Sequence, residues 1–139
     1  MTKVLIALSL MFSLSQAAGL NAPMQEYMKT LESQAKKENS SFTGFDYKRG
    51  EKLFTSEHIG KKGKLISCVS CHTKDLSKQG ENKHTSKVIE PLSPSVNADR
   101  LTNVKDVKKW LRRNFKDVYV RAGTAGEKGD VITYIINKK

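Results

Sequence analysis

Cysteine is nearly absent from this chain of 139 residues: two occur, Cys68 and Cys71. Two thiols so close in sequence cannot build the framework of a disulfide-stapled domain. Methionine is almost as scarce, and none of the four lies beyond Met28. Histidine is limited to His58, His72 and His84, and tryptophan to Trp110. After the first 17 residues no apolar run approaches the ~20 residues that a membrane-spanning helix requires. Acidic residues are outnumbered, 14 Asp plus Glu against 25 Lys plus Arg, for a net charge of +11.

The first 17 residues stand apart from the rest. Lys3 makes a short positive start, Val4 to Leu14 is an almost unbroken apolar run, and Ser15-Gln16-Ala17 places small residues where a signal peptidase needs them. The expected organisation is a signal peptide over 1–17, removed on export, an N-terminal helix and linker over 18–40, and the domain that carries the site over 41–139. Of the 52 residues that are apolar in the wide sense, 11 fall in the leader, which leaves 41 among 122. An average globular chain is roughly 45–50% apolar. So thin a core suggests that something other than protein completes the interior, and it excludes a multidomain enzyme. Without Lys3 the net charge is +10, from 24 Lys plus Arg against 14 Asp plus Glu. In the cytosol such a balance points first to nucleic acid. Export shifts the expectation to an acidic protein partner or an anionic membrane surface.

Both cysteines fall in Ser67-Cys68-Val69-Ser70-Cys71-His72, the C-x-x-C-H pattern by which haem c is attached. On a helical turn, positions three apart share a face, so both thiols reach the two vinyl groups along one porphyrin edge. His72 follows at once and is placed as the proximal iron ligand. Competing readings are weaker. A structural zinc site needs four ligands, and His58 and His84 are isolated. A thioredoxin-like redox pair needs a βαβ context that the sequence lacks, and a disulfide at this spacing is strained and leaves His72 without a role.

Helical periodicity accounts for most of the remainder. Asn21 caps a first helix with Pro23 in its first turn and Met24, Tyr27, Met28, Leu31 and Ala35 on one face. Lys36 to Thr43 reads as a linker. A second helix is predicted from about Asp46 to Thr55, with Tyr47, Gly50, Leu53 and Phe54 inward; a mid-helix glycine there marks a close helix crossing. His58 to Leu65 reads as a loop, and Thr73 to Arg100 as a long polar loop in which Pro91 and Pro94 forbid a regular element. Asn103 or Thr102 starts a third helix, from about Val104 to Asn114. Thr124-Ala125-Gly126-Glu127 is a capping box that opens the last. No strand pattern competes. The predicted class is all-α, a class I cytochrome c-like fold in which about four helices and a long loop enclose one covalently bound haem c.

An electron-carrying cytochrome of this type takes a methionine well after C-x-x-C-H as its sixth ligand, and none follows Cys71 here. Met24 and Met28 precede the haem turn and read as core. His84, in the polar loop, and His58 are candidates from which bis-histidine ligation would follow. Asn114 is the anomaly, because it extends the Val107, Trp110, Leu111 stripe by one turn. A buried amide without a partner costs about 1–3 kcal/mol, which an iron would relieve. Equally, asparagine tolerates the left-handed conformation that ends helices.

The runs Thr85-Ser86-Lys87-Val88-Ile89-Glu90-Pro91-Leu92-Ser93-Pro94-Ser95, Asp99-Arg100-Leu101-Thr102, Lys109-Trp110-Leu111-Arg112-Arg113-Asn114 and Glu127-Lys128-Gly129-Asp130 resemble the sphaeroides haem protein family, high-spin class I cytochromes c of bacterial periplasms. The similarity runs from about Met24 to Ile136. It implies that Asn114 is a weak, displaceable distal ligand and that Trp110 packs near the haem. It further implies a protein that binds oxygen or nitric oxide reversibly and receives electrons from a dihaem cytochrome c or another acidic redox protein. Many members carry a cysteine directly after the ligand asparagine and another before the last helix. Here Phe115 and Gly123 stand at those positions, and without a bridge the segment between them is expected to be freer.

Two other functions stay open at this stage. One is a plain six-coordinate electron carrier that uses His84 or a lysine. The other is a small haem peroxidase or an oxygen or nitric oxide reductase, against which the sequence shows no distal histidine-arginine pair; Arg112 and Arg113 read better as a solvated basic face for docking.

Overall fold

The computed structural model describes residues 19–138, so the signal peptide expected over 1–17 lies outside the described part. Its first helix, α1, spans Ala22–Glu38, with the Asn21 side chain accepting from the Met24 amide at 3.0 Å. Met24, Tyr27, Leu31 and Ala35 bury one stripe of α1, the pattern of an amphipathic helix whose stability comes from packing. Helix α2 follows over Tyr47–Thr55, capped by Asp46, whose carboxylate accepts from the Arg49 amide at 2.7 Å. A single turn, α3, occupies Val69–His72. Helix α4 is Val104–Tyr119 and α5 is Ala125–Asn137, the latter opened by the expected capping box, with Glu127 N donating to Thr124 Oγ1 at 3.1 Å and Thr124 N to Glu127 Oε2 at 2.8 Å.

Two boundaries differ from the sequence reading. Helix α4 does not stop at Asn114 but runs five residues further, because Phe115 and Val118, 5% and 4% exposed, carry its inward stripe onward. The loops also hold two short antiparallel ladders where no strand was expected: β1 (His58–Ile59) with β2 (Leu65–Ile66), and β3 (Gly80–Glu81) with β4 (Val88–Ile89). Pro91 and Pro94 lie beyond β4, so they leave that ladder intact. The turn between β3 and β4 is held by Asn82, whose side chain accepts from the amides of His84 and Thr85 at 2.9 and 3.1 Å, as asparagine does in tight turns. With strands of two residues each, the fold remains all-α.

The core divides into two clusters on either side of α5. Ile132, fully buried, joins Leu20, Met24, Tyr27, Leu31, Ala35 and Ala125 against α1. Val131, Tyr134 and Ile135 face Phe54 of α2, Phe115 of α4 and Leu76. Gly50 lets α2 approach α5, since a Cβ there would collide with the Asp130 carbonyl. Asp130 is 4% exposed and accepts from the Asp46 amide at 2.7 Å, Arg49 Nε at 2.8 Å and Arg49 Nη2 at 3.0 Å. The hydrogen bonds to Asp130 raise the Arg49 pKa above its ordinary value. One carboxylate on α5 thereby fixes the start of α2.

Gly50→Ala is expected to lower stability by about 1–3 kcal/mol, the range for overpacking a tight contact, measured as a shift in the denaturant midpoint. No shift would mean that the α2–α5 contact has slack.

Candidate functional site

Cys68, Cys71 and His72 share one helical turn. Cys68 has helical backbone angles (φ −64°, ψ −36°), its carbonyl accepts from the amides of Cys71 and His72 at 3.2 and 3.0 Å, and both thiols are free. So short a helix is unstable alone, and its neighbours hold it. Ser67, 2% exposed, donates from its amide to Ser70 Oγ at 3.0 Å. Thr73 at φ 64° ends the turn. Gly80 of β3 sits against the Cys71 carbonyl with no room for a Cβ, and the Lys83 amide points at Cys71 Sγ at 3.5 Å.

Burial sets the charge of these groups. It pushes the Cys68 thiol up to about 12, with Cys71 adding to the effect. It pushes His72 down to about 4, and the positive charge of Arg100 lowers it further. At neutral pH the imidazole is therefore neutral, the form that can bind a metal. His72 Nδ1 is buried with no hydrogen-bond partner, and the ring lies 6.0 Å from that of Phe54. No group of three His, Cys, Asp or Glu side chains among the described residues can hold a bare metal ion. A metal on His72 must bring its other ligands with it, as a porphyrin iron does. Half-buried Leu53, Leu92, Leu101 and Leu111 pack on the same cluster as Cys68 and Val69. Two adjacent sulfurs, an unpartnered neutral imidazole and an apolar wall fit a covalently attached haem.

Asn114 lies inside α4, half-buried, on the border of the stripe formed by Val107, Leu111 and Val118. The helix ends in the left-handed conformation at Val120 (φ 56°), so the capping role left open by the sequence belongs to Val120 and not to Asn114. Among the described residues nothing hydrogen-bonds the side-chain amide of Asn114, whose backbone lies within the α4 ladder. Trp110, one turn earlier, does not share the inward stripe in which the sequence placed it: it is 47% exposed and has Lys109 Nζ and the Arg113 guanidinium 5.0 and 5.4 Å from its ring. Arg112 and Arg113 are exposed on the outer face of α4. Met24 and Met28 pack in the α1 cluster, as expected of core residues, and His84 is exposed in the β3–β4 turn.

One residue went unmarked by pattern alone. Arg100 donates to the carbonyls of Pro91 (2.9 Å) and Glu90 (2.7 Å) and borders an open cavity of about 580 Å³ with Asp99 and Asn97; its charge acts on His72 across the fold, which sequence spacing cannot reveal. His58 stacks on Tyr119 at 4.3 Å and keeps Nε2 buried without a partner. Phe115 and Gly123, the ends of the segment expected to be freer, touch each other. The Phe115 ring covers Gly123 so closely that a Cβ there would lie 2.8 Å from it, and a large side chain on a bare backbone fills the place of a bridge.

Residues 40–135 match a protein family described as a domain of unknown function, DUF1924. The chain is 41% identical over 90 residues to cytochrome c-type protein SHP of Cereibacter sphaeroides, covering 65% of this chain and 69% of that protein. Cytochrome c'' of Methylophilus methylotrophus is 30% identical over 89 residues, 64% of this chain and 62% of its own length. Among solved structures, oxidised SHP, described as an oxygen-binding cytochrome c, superposes with a TM-score of 0.71 at 34% identity over 83% of this chain and 96% of that one. Oxidised cytochrome c'' gives 0.74 at 25% identity over 84% and 94%.

Phe115→Ala should cost about 3–5 kcal/mol in chemical denaturation; an unchanged midpoint would show that the Phe115–Gly123 contact does little to hold this segment.

Proposed function

Because the chain belongs to the DUF1924 family and, with SHP, to the sphaeroides haem protein family of monohaem c-type cytochromes carrying covalent haem c, we propose that it reversibly binds a small diatomic gas, oxygen or nitric oxide, and exchanges single electrons with a partner cytochrome. In this reading Cys68 and Cys71 tether the haem, His72 is the proximal ligand, Asn114 the distal one, and Trp110 packs beside them. The haem supplies an iron centre that accepts a diatomic ligand and changes oxidation state by one electron.

The observation that carries the proposal is the free amide of Asn114 in a chain with no methionine after Cys71. Helix α4 fixes the Asn114 backbone, while the side chain keeps two rotatable bonds. No protein hydrogen bond has to break when its amide swings aside, so an incoming ligand displaces it at little cost. His72 contributes the opposite property: it is buried, neutral and held on a turn braced by Ser67 and Gly80. One neighbour is described as an oxygen-binding cytochrome c, and the solution structure of cytochrome c'' as bearing on haem-ligand detachment. Both descriptions support a distal ligand that comes and goes.

The leader over 1–17 supports a periplasmic location, and no helix among the described residues is long and apolar enough to cross a membrane. The excess of positive charge suits an acidic redox protein, for which a dihaem cytochrome c qualifies, and in this location nucleic acid is not the partner. Exposed Arg112 and Arg113 support binding and electron transfer over an enzymatic reaction.

An amide oxygen is a weak-field ligand, so the ferric protein is expected to be high-spin and the ferrous protein to take up carbon monoxide readily. Asn114→Ala should keep the haem attached and change the ferric spectrum, whereas His84→Ala should not. A low-spin ferric spectrum without carbon monoxide uptake, or an unchanged spectrum in Asn114→Ala, would overturn the proposal.

A further inference from the structure

The β1–β2 hairpin has an outer face with no internal use. Side chains on a strand alternate between faces. His58 and Ile66, a cross-strand pair, turn inward, with His58 against Tyr119 and Ile66 against Gly60. The next pair, Ile59 and Leu65, therefore turns outward, and these side chains are 64% and 60% exposed. Two large aliphatic groups standing side by side in water is an arrangement that binding would relieve.

The turn that joins them carries Lys61, Lys62 and Lys64, all exposed. None of the three makes an ion pair among the described residues. The sequence from His58 to Lys74 contains no Asp or Glu. The hairpin is firmly seated, with the Lys61 amide donating to the Asp117 carbonyl of α4 and the Gly60 amide to the Lys64 carbonyl, each at 2.9 Å. It also runs directly into the site, since Leu65 stands three residues before Cys68.

We propose that Ile59 and Leu65, together with Lys61, Lys62 and Lys64 of the turn that joins them, form the docking patch for an acidic electron-transfer protein. This rests on the electron-exchange reading above and names its surface. Unpaired lysines steer a partner whose own patch is ringed by carboxylates, and the aliphatic pair packs once the partner has arrived. The outer face of α4 is also basic, yet Asp106 sits within it and pairs with Lys109 at 2.9 Å. A membrane surface fits less well, because the apolar area is a single cross-strand pair beside the redox turn.

The test uses the full haem-bearing protein and reduced flavodoxin, an acidic flavoprotein, as probe donor. One electron passes from the flavin, which is oxidised, to the ferric haem, which is reduced, and the second-order rate is followed against ionic strength. Lys61→Glu, Lys62→Glu and Lys64→Glu together should lower the low-salt rate at least ~10-fold, on the scale of electrostatic steering, and weaken its fall with salt. Ile59→Ser with Leu65→Ser should lower the rate at high salt, where steering is screened. Reversing Lys29, Lys36 and Lys37 on α1 changes the net charge by the same amount and should lower the rate clearly less than the hairpin set does at about 0.15 M ionic strength, where distant charges are screened. The ferric spectrum and carbon monoxide uptake, measured on every variant, test the gas-binding reading separately and should not move in the hairpin variants.

A wild-type rate independent of salt, or hairpin variants that match wild type while the α1 set fails, would overturn the patch. So would loss of binding to phosphatidylglycerol vesicles, with unchanged flavodoxin kinetics, in the hairpin variants.

Discussion

A one-turn helix has to present two sulfurs and an imidazole to a single face, and it cannot do so unaided. Four residues make too few hydrogen bonds to offset the cost of nucleating a helix. The surrounding fold therefore acts as the clamp: Ser67 and Ser70 close the entry, Thr73 stops the turn, Gly80 presses on the Cys71 carbonyl, and Phe54 stands beside the His72 ring. Phe54 in turn depends on α2 crossing α5 at Gly50, and that crossing depends on Asp130 gripping the start of α2. The route from a buried carboxylate to the metal-binding face is short and entirely packed.

The same burial that secures the turn tunes its chemistry. An imidazole in water is part-protonated near neutrality; His72 is kept neutral by its surroundings and by Arg100. Helix α4 carries a residue of opposite character. Asn114 is uncharged, half-buried and unattached, placed by a rigid helix yet free at its tip. Phe115 on Gly123 holds that part of α4 by shape. The proposed function draws on that contrast, a firmly held His72 and a loosely held Asn114 being what reversible ligand binding asks of a protein.

Much of this was legible in the sequence, for identifiable reasons. C-x-x-C-H, the capping box at Thr124 and the apolar stripe of α1 are local patterns, and each depends only on residues within a turn or two of one another. The helix crossing at Gly50 was legible too, since glycine in mid-helix is costly unless something needs the space. Asn114 was half legible: periodicity placed it on the inward side of a helix but could not say whether the helix continued.

What the sequence by itself determined, then, is the attachment chemistry, the all-α class and the lack of an ordinary methionine ligand, because these follow from residue types at fixed short spacings. Only the tertiary structure decided that α4 runs on to Tyr119, that Arg100 acts on His72, that Phe115 covers Gly123, and that Ile59 and Leu65 meet across a hairpin. Each of those joins residues that folding brings together, and burial or exposure of a side chain is a property of its neighbours in space.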